Sequence, residues 1–129
     1  MNGKYMLDTN IVIAMLSGEP SVVDRAEATD EFCISSTIAG EMFYGAFNSA
    51  NVDEDIQYID SFLIEAVLLP CDERTSRLYG EIKSLLRRRG RSIPDNDIWI
   101  AASTMQHSLT LVTRDVHFNE VEGLRSVRW

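Results

Sequence analysis

Lys4-Tyr5-Met6-Leu7-Asp8-Thr9-Asn10-Ile11-Val12-Ile13 decides how this chain is read. A short apolar run ends in a carboxylate, and a helix-like pattern begins directly afterwards. In an open α/β sheet, ligands gather at the carboxyl ends of the strands. Asp8 is therefore expected at a rim, facing whatever the protein acts on, with later segments delivering further carboxylates to the same rim.

Outward from that stretch, apolar runs alternate with helical periodicity. A first strand is expected over residues 4–7 and a helix over 11–16, followed by a break at Ser17-Gly18-Glu19-Pro20. A weak helix at 21–28 precedes a short strand at 31–35. Ser36 or Thr37 is expected to cap a helix reaching Phe47, in which Ile38, Met42, Phe43, Ala46 and Phe47 recur at helical spacing. Glu41 falls beside that apolar stripe, an awkward place for a carboxylate. Ile56, Ile59 and Leu63 mark a helix over 53–64, and 66–69 reads as a buried strand ended by Pro70. Asp72 opens a long helix with Leu78, Ile82, Leu85 and Leu86 on its apolar side and Gly90 after its basic last turn. A loop at 92–96 leads into a helix over 97–107, then a strand at 109–113 and a last short strand at 126–128. Strands alternating with helices imply right-handed crossovers and a parallel sheet covered on both faces. The expected fold class is α/β, a three-layer α/β/α sandwich with a mainly parallel sheet of four or five strands.

The length of 129 residues suits a single domain, 1–129. Its 45% hydrophobic and 25% charged content are ordinary for a soluble protein. No apolar run approaches the ~20 residues of a membrane helix, and no signal peptide is expected. Cys33 and Cys71 lie in apolar surroundings without metal-type spacing, and buried reduced thiols in the cytoplasm are expected. The net charge of −8 argues against broad nonspecific affinity for nucleic acid. It leaves room for a nucleic-acid enzyme, because carboxylates that bind a divalent ion inflate the formal charge.

Four acidic residues occupy comparable places. Asp8 follows the first strand, Glu41 lies in the helix after the second, Asp97 opens a late helix, and Asp115 follows the fourth strand. Such a cluster is unfavourable without a cation, since like charges raise one another's pKa. Oxygen-only ligands favour Mg²⁺ or Mn²⁺ over zinc, with no His or Cys spacing in view. That chemistry suits phosphodiester hydrolysis. Each residue also has a plainer reading: Asp95 as a helix cap, Asp97 as a partner of the helix dipole, Asp115 as a turn residue.

Four short segments together resemble the PIN-domain proteins, particularly the VapC-type toxins of bacterial toxin–antitoxin pairs. They are the run Leu7 to Ile13; Ile34-Ser35-Ser36-Thr37-Ile38-Ala39-Gly40-Glu41 with Gly45; Asp97-Ile98-Trp99-Ile100-Ala101-Ala102; and Leu111-Val112-Thr113-Arg114-Asp115 with His117-Phe118. The resemblance spans almost the whole chain, in the family's order and spacing. It implies a Mg²⁺- or Mn²⁺-dependent endoribonuclease with Asp8, Glu41, Asp97 and Asp115 as its acidic cluster. It also implies that Asn10 and Thr113 orient the ligands and the water, and it selects Asp97 over Asp95. Implied partners are an RNA substrate and a small antitoxin with a DNA-binding domain. The antitoxin's C-terminal segment would lie across the active-site groove of a homodimer or higher hetero-oligomer.

Arg87, Arg88, Arg89 and Arg91 could grip an RNA backbone, or could merely complement a helix C-terminus. His117 adjoins the fourth segment without an evident partner, and Tyr44, Phe47 and Trp99 are expected to pack. The rival reading is a PIN-like component of a nucleic-acid-binding complex with weak or no cleavage. An aspartyl-phosphate phosphatase is disfavoured, because Asn10 stands where such enzymes usually carry a second Asp.

Overall fold

A computed structural model describes residues 5–129. In chain order the elements are β1 (Tyr5–Leu7), α1 (Thr9–Leu16), α2 (Pro20–Glu27), β2 (Phe32–Ser35), α3 (Ser36–Phe47), α4 (Val52–Glu65) and β3 (Val67–Leu69). After them come α5 (Glu73–Arg88), α6 (Asp95–Gln106), β4 (Thr110–Val112), a 3₁₀ turn (Val116–Glu120) and β5 (Ser126–Val127). Lys4, the expected start of the first strand, lies outside the described residues.

The five strands form one parallel sheet in the order β3-β2-β1-β4-β5. Successive strand residues face opposite sides of a sheet. Met6 and Leu7 are both fully buried, as are Leu111 and Val112, so helices cover both faces of the central strands. The chain builds outward from β1 through β2 to β3, then returns to lay β4 on the other side of β1. This reversal opens a crevice at the carboxyl ends of β1 and β4. Leu7 is in register with Val112, which sets Asp8 and Thr113 side by side at that crevice.

Helix starts differ from expectation where an earlier residue proves the better cap. Asp8 itself caps α1, accepting from Thr9 N, so the helix begins at Thr9 rather than Ile11. Ser35, and neither Ser36 nor Thr37, caps α3: it is the last extended residue, and its Oγ accepts from Ile38 N. Asp72 caps α5 as expected, in a reciprocal pair with Thr75. Asp95 does not cap α6. Pro94 starts that helix with its own fixed φ, and the Asp95 carboxylate turns to Lys83 and Tyr79.

Burial also corrects two expectations. β3 is an edge strand, and Leu68 is 48% exposed because helices and neighbours cover it from one side only. Cys71 is exposed just beyond that edge, while Cys33 on β2 is half-buried. Among the described residues, no helix is long and apolar enough to cross a membrane.

The contrast between centre and edge is measurable. Leu111→Ala should lower unfolding free energy by ~2–5 kcal/mol in urea titrations, whereas Leu68→Ala should change it by less than about 1 kcal/mol. Equal losses at both positions would contradict the strand order.

Candidate active site

Asp8 is held at the tip of β1 by three donors. Its Oδ1 accepts from Thr9 N at 2.9 Å, and its Oδ2 accepts from Thr113 Oγ1 at 2.7 Å and Asn10 Nδ2 at 3.2 Å. Thr113 Oγ1 in turn accepts from Asp115 N at 3.0 Å, and Asn10 Oδ1 accepts from Arg114 N at 3.3 Å. The tips of β1 and β4 are thus tied into one polar lattice around a carboxylate that is almost wholly buried.

Glu41 is reached through α3, which packs against both α1 and α6. Each neighbour supplies one donor: Thr9 Oγ1 to Oε1 at 2.5 Å, and Asn96 Nδ2 to Oε2 at 3.3 Å. The awkward placement beside an apolar stripe is what turns this carboxylate inward. Asp97 stands in the first turn of α6, half-buried, and its carboxylate accepts no hydrogen bond among the described residues.

Asp115 caps the 3₁₀ turn, its Oδ1 accepting from His117 N at 2.9 Å and meeting His117 Nδ1 at 3.0 Å. The buried Phe118 anchors this turn in the core and so fixes where both side chains stand.

Asp8 and Asp97 both respond to their surroundings and to the neighbouring carboxylates. Burial pushes Asp8 upward, hydrogen bonds from Thr113 and Thr9 oppose that, and Glu41 and Asp115 add to the rise. Asp97 is pushed up to about 6, first by burial and then by Asp115, Asp8 and Glu41, with His117 in opposition. Ligand atoms of Asp97, Asp115 and His117 lie within 4.8 Å of one another. Carboxylate oxygens in this number, one pair of them on a half-buried Asp97 that accepts no hydrogen bond among the described residues, fit a divalent cation.

Asp8, Glu41 and Asp115 thus all act on Asp97, and Asn10 and Thr113 both touch Asp8, while among the described residues the ligand atoms close enough to share one ion are those of Asp97, Asp115 and His117, without Asp8 or Glu41. Arg87, Arg88, Arg89 and Arg91 stand apart from the cluster on the exposed end of α5 and the loop after it. Arg89 and Arg91 pair there with Glu122 and Glu120, and Arg88 bonds Ser84.

Three expectations need correction. His117 does have a partner in Asp115, because an i,i+2 pair closes on itself in a capped 3₁₀ turn. A histidine nitrogen therefore does belong to the cluster, at a spacing too short to resemble a ligand motif. Tyr44 and Phe47 are 73% and 65% exposed, since the buried stripe of α3 runs through Ile38, Ala39, Met42 and Ala46 instead. Trp99 packs as expected, stacked on Tyr79 with ring centroids 4.1 Å apart. Thr9 and Asn96 were missed; their one sequence signal is adjacency to Asp8 and Asp97.

Comparison with known proteins agrees with this geometry. The family model described as "PIN domain" matches residues 5–124. A protein named ribonuclease VapC2 from Haemophilus influenzae is 35% identical over 129 residues, covering 98% of each chain. A tRNA(fMet)-specific endonuclease VapC from Shigella flexneri is 33% identical, again over 98% of both chains. Among solved structures, DNA-bound VapBC from Salmonella typhimurium includes a chain that superposes with a TM-score of 0.92. It is 28% identical and is covered to 98%, as is this chain.

The raised Asp97 pKa has a consequence for stability. The folded state binds a proton on Asp97 up to about pH 6, whereas the unfolded chain releases it near pH 4. Folding stability in chelator should therefore fall as pH rises through that window. Asp97→Asn should be more stable than the parent at pH 7.5, with the difference shrinking toward pH 4, as read by urea unfolding in EDTA. A variant less stable at pH 7.5 would contradict the repulsion.

Proposed function

The chain belongs to the PIN-domain family, and from that premise we propose that it is an endoribonuclease acting as the toxin of a type II toxin–antitoxin pair. The carrying observation is that Thr113 ties Asp8 to the Asp115 turn at the carboxyl ends of β1 and β4, where ligand atoms of Asp115 and Asp97 come within 4.8 Å of each other. The residues proposed to hold Mg²⁺ or Mn²⁺ are Asp8 and Asp97, with Glu41 and Asp115 completing the set. Such an ion makes a water more acidic and neutralises charge on the phosphoryl oxygens.

The protein's own groups provide the positioning. Thr113 and Asn10 hold one oxygen of Asp8 and the backbone N–H of Thr9 holds the other, so the carboxylate is fixed at both ends. Thr9 and Asn96 fix both oxygens of Glu41, so its approach to the attacking water does not depend on a free rotor. Asp97, short of donors, is the group most in need of a cation. Arg87 and Arg88, exposed and without an ion pair among the described residues, are proposed to meet an RNA phosphate away from the acidic cluster.

The partner follows the same reading. VapBC complexes are what the structural relatives form, and here a groove of about 500 Å³ opens beside Glu41 between α1, α3 and α4. Ile13, Leu16, Met42 and Tyr58 give it apolar walls suited to a segment of a small DNA-binding antitoxin. We place the complex in the cytoplasm, with the toxin as a homodimer or within a larger hetero-oligomer.

Cleavage of tRNA(fMet), the RNA in the Shigella relative's name, and of unrelated structured RNAs tests the assignment. Cutting should require Mg²⁺ or Mn²⁺ and stop in chelator. Asp8→Asn should lose at least ~100-fold, since the ion contributes several kcal/mol at about 1.36 kcal/mol per tenfold, and growth toxicity should vanish with it. Asn96→Ala should lose about 10–100-fold, as expected of a group that orients a ligand. Full activity of Asp8→Asn, or cutting that ignores chelator, would remove the proposal.

A further inference from the structure

We infer that His117 is a nitrogen donor to the cation held by Asp97 and Asp115, which makes this a mixed oxygen and nitrogen site. The inference rests on the metal-dependent reading above and adds a ligand that the acidic cluster does not contain.

Three observations carry it. First, one ligand atom from each of Asp97, Asp115 and His117 lies within 4.8 Å of the other two. Donors about 2.1 Å from one ion stand at most ~4.2 Å apart, so closing the set needs a shift of roughly half an ångström. Second, His117 Nδ1 sits 3.0 Å from Asp115 Oδ1. Two donors each about 2.1 Å from one ion and at right angles to each other stand about 3.0 Å apart, so an ion can take the place of the proton between Nδ1 and Oδ1, with the remaining ring proton on Nε2. Third, the side chain is 58% exposed while Phe118 holds its backbone in the core. The ring is anchored at its base, and its field already acts on Asp97.

The chemical consequence is selectivity. Carboxylates and water take Mg²⁺ and Mn²⁺ alike, whereas imidazole favours the transition ions. This site should therefore prefer Mn²⁺ to Mg²⁺, with His117 as the cause.

Binding, without reference to RNA cleavage, decides the matter. Tag-free full-length protein is titrated with Mn²⁺ and with Mg²⁺ by calorimetry, and the Mn²⁺ complex is examined by pulsed EPR for imidazole nitrogen coupling. The chain has two histidines. The other, His107, follows the far end of α6, roughly ten residues or about 15 Å from Asp97, too far to contribute. The expected result is imidazole coupling in the parent and none in His117→Gln. That variant keeps an amide donor for Asp115, and its Mn²⁺ affinity should fall by about tenfold while Mg²⁺ affinity changes little. Mn²⁺ bound without nitrogen coupling, or an unchanged Mn²⁺ to Mg²⁺ ratio in His117→Gln, overturns the role of His117 and leaves the carboxylate site standing. Failure of the parent to bind Mn²⁺ at all would overturn both.

Discussion

The burial of carboxylates in one crevice, with their mutual repulsion added to it, is the constraint around which this protein is organised. Like charges brought out of water raise one another's pKa and oppose folding. Here Asp8 and Asp97 are both pushed up, by burial first and then by the neighbouring carboxylates, and Asp97, without hydrogen-bond donors among the described residues to offset it, reaches about 6. A divalent ion reverses that local electrostatics. The packed core beneath the crevice opposes that penalty.

The hydrogen bonds around the cluster divide the work unevenly. Asp8 lies deepest and receives three donors, from Thr9, Asn10 and Thr113. Glu41 receives two, from residues on two different helices, so its orientation reports the packing of α1 and α6 together. Asp97 receives none among the described residues. Donors that fully satisfied every carboxylate would stabilise the empty site and weaken its affinity for a cation. The gradient from Asp8 to Asp97 keeps the cluster in place and leaves it in need of positive charge.

Topology makes this possible with short elements. Because the chain reverses direction across the sheet at β1 and β4, two strand ends deliver Asp8 and the Thr113–Asp115 segment to one point. The N-terminal turn of α6 arrives with Asp97, and α3 arrives with Glu41 from the second turn. The hairpin of α5 and α6 is locked by the stack of Tyr79 on Trp99 and by Asp95 bonded to Lys83 and Tyr79, which holds the Asp97 turn against the crevice.

The local pattern of residues was enough to place the strands and most of the helices, because period-2 and period-3.6 burial are nearest-neighbour physics, whereas the choice of Asp97 over Asp95 came from the family resemblance. Even so, caps slipped: Ser35 replaced Ser36 or Thr37, and Pro94 replaced Asp95, since the choice between adjacent candidates depends on where the strand or loop delivers the chain. Leu68 and Phe47 looked like core and are half or mostly exposed, because periodicity cannot tell a central element from an edge. Thr9 and Asn96 on Glu41, and the nearness of His117 to Asp97, belong to the tertiary structure alone. Those contacts join segments from separate parts of the chain, or turn on the closure of a single 3₁₀ turn, and no spacing along the chain encodes a distance across the fold.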